Sequence, residues 1–312
     1  MMSIASEKIL YDLSGIDSFR RVSDDHPLDL YLGRDAAGRI TLLLLSDSEP
    51  FQVFSSRMIG IQIGCRADGR WALSFSLNDP KYEDMFYNFC NDIINSSMDI
   101  DDKRKGTSFV CTRYVKWQEM LKKNASGLLS FSENKGFMGE LLFLRNFLFP
   151  TYGMETALNS WIGPEMADQD FVCPDLWYEV KALVSGAASV KISSIEQLDT
   201  HDIGELVLMY LDKTSHSDPK RLTLNALVAD ITDKLTTGSQ RRQFGDILLR
   251  QGYVPRPEYD EYIFKFSSME RYSVTQSFPS IRRENVPAEV TNANYALSIS
   301  GINPFLKEDQ RQ

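Results

Sequence analysis

The sequence predicts a mixed α/β (α+β) fold built in two regions. Three observations carry that reading. Residues 28–78 alternate apolar and polar side chains or form short apolar runs, which is the pattern of β-strands. Residues 80–149 switch to apolar residues at helical spacing. Beyond residue 168 the order becomes hairpin, strand, helices and closing strands. A β-meander with helices is therefore expected first, then an α/β core, then C-terminal strands. The chain has 312 residues, and at roughly 150 residues per domain that suits about two domains. The charged stretch 98–106 reads as the loop between them. It gives an N-terminal β-rich region with helix at 1–105 and a second domain with a C-terminal strand extension at 106–312.

Taken in order, Arg39–Leu45 reads as a buried strand, and Ile59–Ile63 and Trp71–Leu77 as alternating strands. Asp68-Gly69 between the last two is a hairpin-turn signal. Asn78-Asp79-Pro80 opens a helix whose stripe is Met85, Phe86, Phe89, Cys90 and Ile93. Val110, Tyr114, Trp117 and Leu121 mark a second helix. A third opens at Ser130–Glu133 and is expected to stop at Pro150. Gln169–Cys173 and Trp177–Lys181 read as a strand pair turning at Pro174-Asp175. Val190–Ile192 is a short strand, Ser193–Glu196 starts a short helix, and Leu206–Leu211 is a strand. Helices follow at about 222–236 and 240–251, then strands at Tyr262–Phe266, Tyr272–Val274 and Tyr295–Ile299.

Composition narrows the function classes. Hydrophobic residues are 43% and charged residues 25%, enough apolar material for a core. No apolar run approaches the roughly 18 residues of a membrane span. Met1–Lys8 has no basic region leading into an apolar stretch, so no secretory signal is expected and the expected compartment is the cytoplasm. Cys65, Cys90, Cys111 and Cys173 are scattered, without zinc spacing, and read as incidental thiols. The net charge of −9 argues against a protein that coats nucleic acid unaided, while leaving room for a local basic groove, a metal site or a basic partner.

The chemistry is concentrated in Asp170–Lys181. Alternate strand residues share a face, so Glu179 and Lys181 point together while Tyr178, Val180 and Ala182 point the other way. A carboxylate and an ammonium on an otherwise apolar strand are costly to bury without a partner. A turn near Pro174 brings Asp170 opposite Glu179–Lys181. Two carboxylates, a backbone carbonyl and retained waters are what a Mg²⁺ site needs. Asp175 falls at the turn and cannot reach across. Upstream, Glu140 lies within the apolar arc of Phe137, Leu141, Leu144 and Leu148, which directs an acid inward. Gly136 and Gly139 on that helix would let another backbone approach closely.

This set resembles the PD-(D/E)XK nuclease superfamily, whose core is a helix followed by a hairpin carrying Asp and then Glu-x-Lys. The likeness extends to a bacterial family of uncharacterised PD-(D/E)XK-motif proteins and covers about residues 15–306. Leu129-Ser130, Gly136–Leu141, Ser160–Pro164, Asp170-Phe171, Glu179–Lys181, Ile192–Leu198, Gly252-Tyr253, Arg271–Val274, Ser277–Ile281 and Asn303–Phe305 carry it. Gln169 stands where His is expected, and Ala182-Leu183 where small hydroxyl residues are common. The resemblance implies a restriction-endonuclease-like core and Mg²⁺-dependent (Mn²⁺ as substitute) hydrolysis of DNA phosphodiesters.

In that implied scheme Asp170, Glu179 and the Val180 carbonyl bind metal, and Lys181 positions water and offsets charge on the phosphate. Glu140 binds a second metal or orients its water, and Gln197 contacts water or phosphate. Such proteins resemble subunits of restriction or phage-defence operons that also encode a methyltransferase, a GHKL-type ATPase and a helicase-like ATPase. The competing reading is a non-catalytic scaffold subunit that keeps the nuclease fold. Lys103–Lys105, Arg241-Arg242 and Arg282-Arg283 read as solvated basic segments, and Trp161, Trp177 and Tyr178 as core. No Gly-rich phosphate loop precedes Lys-Ser or Lys-Thr, so no ATPase activity is expected in this chain.

Overall fold

The computed structural model describes residues 15–123, 128–162, 168–199 and 202–311. Met1–Lys8, read for targeting, and Gly163-Pro164 lie outside the described residues. The chain divides into two compact units, one running through Leu128 and including 248–254, the other formed by 129–247 and the residues from 255 onward. The division thus falls some twenty residues later than the expected 105/106. The charged stretch read as a loop begins a helix instead.

The first unit holds β1 (Ser18–Arg21), β2 (Asp29–Arg34), β3 (Ile40–Ser46), β4 (Ile59–Cys65) and β5 (Trp71–Leu77) in one antiparallel sheet, ordered β1-β2-β3-β5-β4. It is not a simple meander, because β5 inserts between β3 and β4. The Arg66–Arg70 turn joins β4 to β5, and Gly69 takes φ 81° there, a conformation costly for other residues. Helices α1 (Glu83–Ser96) and α2 (Lys103–Lys123) complete the unit. Asp102 starts α2 by accepting from the N–H groups of Arg104 (2.9 Å) and Lys105 (3.3 Å). Gly106, which resembles a loop residue in sequence, is where α2 meets Leu28. A Cβ there would lie 2.3 Å from Leu28 Cδ2. Phe75, Phe86, Phe89, Tyr114 and Trp117 fill the core. Asp92 satisfies the polar atoms buried with them, taking Arg113 Nη2 at 2.6 Å and Trp117 Nε1 at 2.7 Å.

The second unit opens with α3 (Phe131–Phe143), capped reciprocally by Ser130 and Glu133. Pro150 does not stop this helix. A wider π turn at Leu144–Leu148 lets Phe149 N–H donate to Leu144 O. Pro150, which has no N–H to place, sits in the last turn at Phe149–Tyr152, and Gly153 at φ 79° ends the run. A short helix α4 (Met154–Ser160) leads to the strands.

Strands β6 (Phe171–Val172), β7 (Trp177–Leu183), β9 (Gly204–Lys213), β10 (Arg221–Leu222) and β11 (Phe264–Val274) form a mixed sheet ordered β10-β11-β9-β7-β6. β7 and β9 run parallel, with Glu179 beside Leu206 and Lys181 beside Leu208. Strand β13 (Leu306–Arg311) adds to β11. β8 (Ser189–Ile192) and β12 (Tyr295–Ser298) form a separate pair. Helices α5 (Leu224–Lys234) and α6 (Gly238–Arg250) follow the expected limits.

Two further expectations fail for definable reasons. The two strands read at 262–274 are one bulged strand, because Ser267 and Glu270, which look like a gap, bond across to β9. Ser267 donates to Asp212 and Tyr210 donates to Glu270. Ser193–Glu196 forms a turn and not a helix. The Ser193 N–H goes to its neighbour's side chain, Gln197 Oε1, at 2.8 Å.

The sheet separates two apolar layers. α3 lies on the face bearing Tyr178, Ala182 and Met209, and Gly139 permits the approach, since a Cβ there would lie 3.1 Å from Ala182 Cβ. The other face, with Trp177, Leu206 and Leu208, packs on Val190, Ile192, Leu198 and Leu297. Gly204 pairs with Trp177 across the β7–β9 seam, and a Cβ at Gly204 would stand 2.0 Å from Trp177 Cε2. We therefore expect Gly204→Val to destabilise the protein by about 1–3 kcal/mol, the usual range for overpacking. Urea or thermal melts measure this. An unchanged midpoint would mean that the Trp177–Gly204 contact does not set the seam.

Candidate active site

The site lies where the β6–β7 hairpin stops pairing. β6 covers only Tyr178 and Trp177 of β7. Beyond them the next inward amide, Val180 N–H, has no strand to donate to. Asp170, just ahead of β6, supplies the missing acceptor, and its Oδ2 takes the Val180 N–H at 2.8 Å. The N–H and C=O of one strand residue point to the same side, so the Val180 carbonyl also faces this edge.

Glu179 and Lys181 leave β7 on the opposite sheet face from α3. Glu179 is only 1% exposed, and Lys181 Nζ stands 2.6 Å from its Oε1. Neither Glu179 oxygen accepts a well-formed hydrogen bond. Lys181 Nζ also donates to Gln197 Oε1 at 3.3 Å. Glu140 arrives from α3, and its Oε2 accepts the Trp161 indole N–H at 3.0 Å. Glu140, Asp170, Glu179, Val180, Lys181 and Gln197 line one cleft of about 310 Å³. Asp175 is exposed at the hairpin turn and bonds Tyr152 Oη at 2.7 Å, away from the cleft, as the turn geometry required.

The electrostatics follow from crowding acids in a partly dry space. Burial, then the charge of Asp170, push Glu140 well above the carboxylate range. Burial raises Asp170 against the pull of Lys181. Burial and the Asp170 charge push Glu179 up to about 8. Burial opposes the charge on Lys181, but Glu179 and Asp170 outweigh it and hold the ammonium above its ordinary value.

A hard divalent cation fits part of this set. Glu179 presents two buried oxygens, the Lys181 ammonium lying against one of them, and Asp170 and the Val180 carbonyl face the same cleft. Among the described residues, no group of three or more His, Cys, Asp and Glu side chains is placed to hold one ion together. The ligand set compatible with these positions is therefore the Asp170–Glu179 pair with the carbonyl and water, Glu140 standing apart on Trp161.

Several supports were not legible in the spacing. Trp161 is core, as expected, but its indole also fixes Glu140, and it stacks on Phe171 at 5.3 Å beside Asp170. A buried indole N–H needs an acceptor, which is the one signal the sequence offers. Gln169 is buried and donates to Glu196 O at 3.0 Å, holding the turn that carries Gln197. Arg282 and Arg283 are not solvated cations. Arg283 binds Glu196 through Nε (2.9 Å) and the Asp199 carboxylate through its backbone N–H (2.9 Å), and Arg282 faces Asp199 at 3.6 Å. The C-terminal segment thereby clamps the same turn. Ala182, where a hydroxyl residue is common, packs under Gly139, and Leu183 lines the cleft. Trp177 and Tyr178 are buried, as expected.

A helix laid on a mixed sheet, with an acid before the hairpin and Glu-x-Lys after it, defines a nuclease-like class of site. The chain matches, over residues 6–300, the family described as "Putative PD-(D/E)XK family member, (DUF4420)", and it belongs to that family. Its fold is the α/β restriction-endonuclease-like type. PD-(D/E)XK nucleases generally use divalent metals. No curated protein and no solved structure matches the chain. No helix among the described residues is long and apolar enough to cross a membrane.

The raised carboxylates set the sign of a pH effect. Between the ordinary value of 4.5 and about 8, the folded protein holds a proton on Glu179 that the unfolded chain has released. Stability of the metal-free protein is therefore greatest below that window and falls as pH rises through it, by at most about 1.4 kcal/mol per unit from this group. Glu140 and Asp170 shift in the same direction. Glu179→Gln removes the titration, so urea melts at a series of pH values should show a flatter profile for the variant and a more stable protein at the alkaline end. Parallel profiles would show that Glu179 is not held protonated by its surroundings.

Proposed function

We propose that the chain is a metal-dependent DNA endonuclease working as a subunit of a bacterial restriction or phage-defence assembly in the cytoplasm. The observation that carries this is the convergence of Asp170, Glu179 and Lys181 on one cleft at an open strand edge. Family membership supports a nuclease-like enzyme.

Asp170, Glu179 and the Val180 carbonyl would hold Mg²⁺, with Mn²⁺ as a substitute. When bound, the ion supplies polarisation of the phosphate and a water of lowered pKa. Asp170 is already oriented by the Val180 N–H and needs little rearrangement to bind a cation. Lys181, which lies between Glu179 and Gln197, would offset the negative charge that develops on the phosphate. Gln197, fixed by the Ser193 N–H, gives Lys181 a resting place and an acceptor for the attacking water. Glu140, held by Trp161, faces the cleft as a second carboxylate that orients water or a further ion.

The −9 net charge leaves little general attraction to a phosphate backbone, so partner proteins of the operon would supply the grip. A helicase-like ATPase, a GHKL-type ATPase and a methyltransferase are the partners proposed. The alternative, a scaffold subunit without activity, is favoured by two observations: Lys181 sits directly on Glu179, and among the described residues no three-ligand group is formed.

Plasmid cleavage by the chain and by the reconstituted complex separates the readings. Lys181→Ala should retain Mg²⁺ binding and lower cleavage by at least about 10²-fold, the scale of losing one transition-state charge contact. Asp170→Ala should lose both, and Asp175→Ala neither. A complex that cuts DNA equally well with Asp170→Ala and Lys181→Ala makes this chain a scaffold.

A further inference from the structure

Resting on the nuclease reading, we propose that Lys191 is a phosphate-binding residue, taking the backbone phosphate next to the one that is cut. The cleft as described is short of usable positive charge. It gathers Glu140, Asp170 and Glu179 against Lys181, and Lys181 is engaged by Glu179 and Gln197. A phosphodiester entering such a space finds acid groups and one committed ammonium, with no uncommitted positive charge among them to receive it. The basic pair Arg282-Arg283 is no remedy, since both face Glu196 and Asp199.

Lys191 has what the others lack. It lines the same cleft but comes from β8, outside the sheet that carries Glu179 and Lys181. β8 alternates strictly. Val190 and Ile192 are fully buried in the core, which turns Lys191 outward to solvent at the cleft wall. Its backbone position is fixed by pairing with Ala296 of β12, so the side chain springs from a rigid strand. Among the described residues no carboxylate pairs with it.

Gly136, on α3 in the same cleft lining, has open space where a Cβ would stand. At the cleft rim an exposed lysine on a paired strand thus lies near an opening at the helix, an arrangement suited to a sugar–phosphate backbone passing across the rim. A lysine acts there as a point charge that accepts any sequence.

The test is equilibrium binding of a duplex oligonucleotide to the full chain without divalent metal, so that no cleavage is involved, measured over a salt series. Neutralising one phosphate contact changes the slope of log K against log salt by about 0.9. Lys191→Ala should therefore weaken binding for unrelated sequences alike and reduce the slope by about one unit. Lys191→Arg should restore most of it. Lys220→Ala, an exposed lysine elsewhere in this unit, should leave the slope unchanged. With Mg²⁺ present, Lys191→Ala should raise the DNA concentration needed for half-maximal cleavage more than it lowers the maximal rate. Wild-type slope in Lys191→Ala, or an equal loss in Lys220→Ala, overturns the assignment of Lys191. Failure of the wild type to bind DNA at any salt, alone or in its complex, overturns the nuclease reading on which it rests.

Discussion

The site depends on one hydrogen bond, from the Val180 N–H to Asp170 Oδ2. A strand edge must satisfy its amides or leave them in water. Had β6 begun two residues earlier, a backbone carbonyl would have taken that amide and the edge would have been an ordinary ladder. Because β6 is only two residues long, a side chain completes the ladder instead, and it is a carboxylate. The bond aims Asp170 at the edge and leaves the Val180 carbonyl beside it. The hairpin turn, the short β6 and the exposed position of Asp175 are parts of the same arrangement.

Around that bond the protein accumulates charge it cannot fully compensate. Glu179 is buried with Lys181 as its near neighbour but without proper hydrogen bonds. A buried pair of this kind is a weak source of stability, since desolvation offsets most of the attraction. The sheet tolerates it because the rest of β7 and β9 is firmly packed, with Gly139 and Gly204 admitting α3 and Trp177 at close range. The desolvation cost at the site is thus offset by apolar contacts on both faces of the sheet, a division common to sites that must later accept a ligand.

The second support is remote in sequence. Gln197 lies on a turn with no regular structure, and three groups hold that turn: the Gln169 amide, the Gln197 side chain folded back on Ser193 N–H, and the Arg282-Arg283 clamp. This explains why segments as distant as Gln169 and Ser277–Ile281 belong with the Glu-x-Lys strand. Gln169 holds the turn that carries Gln197, and Phe278 packs in the same core cluster as Trp177 and Leu198.

By itself, the sequence determined the hairpin, the shared face of Glu179 and Lys181, the inward turn of Glu140 and the exclusion of Asp175. All of these are consequences of local periodicity and turn chemistry, which act over a few residues. It misjudged Gly106, Pro150, Arg282-Arg283 and the order of the first sheet. For three of these the deciding partner lies outside the local segment: Leu28 for Gly106, Glu196 and Asp199 for the arginines, β5 for the sheet order. For Pro150 it was a π turn in the preceding residues that propensity does not foresee. Only tertiary structure could decide that Trp161 holds Glu140, that Lys181 rests between Glu179 and Gln197, and that Lys191 faces the same cleft. Hydrogen bonds and ion pairs of that kind are made between elements whose spacing is set by packing, and packing is a property of the whole fold.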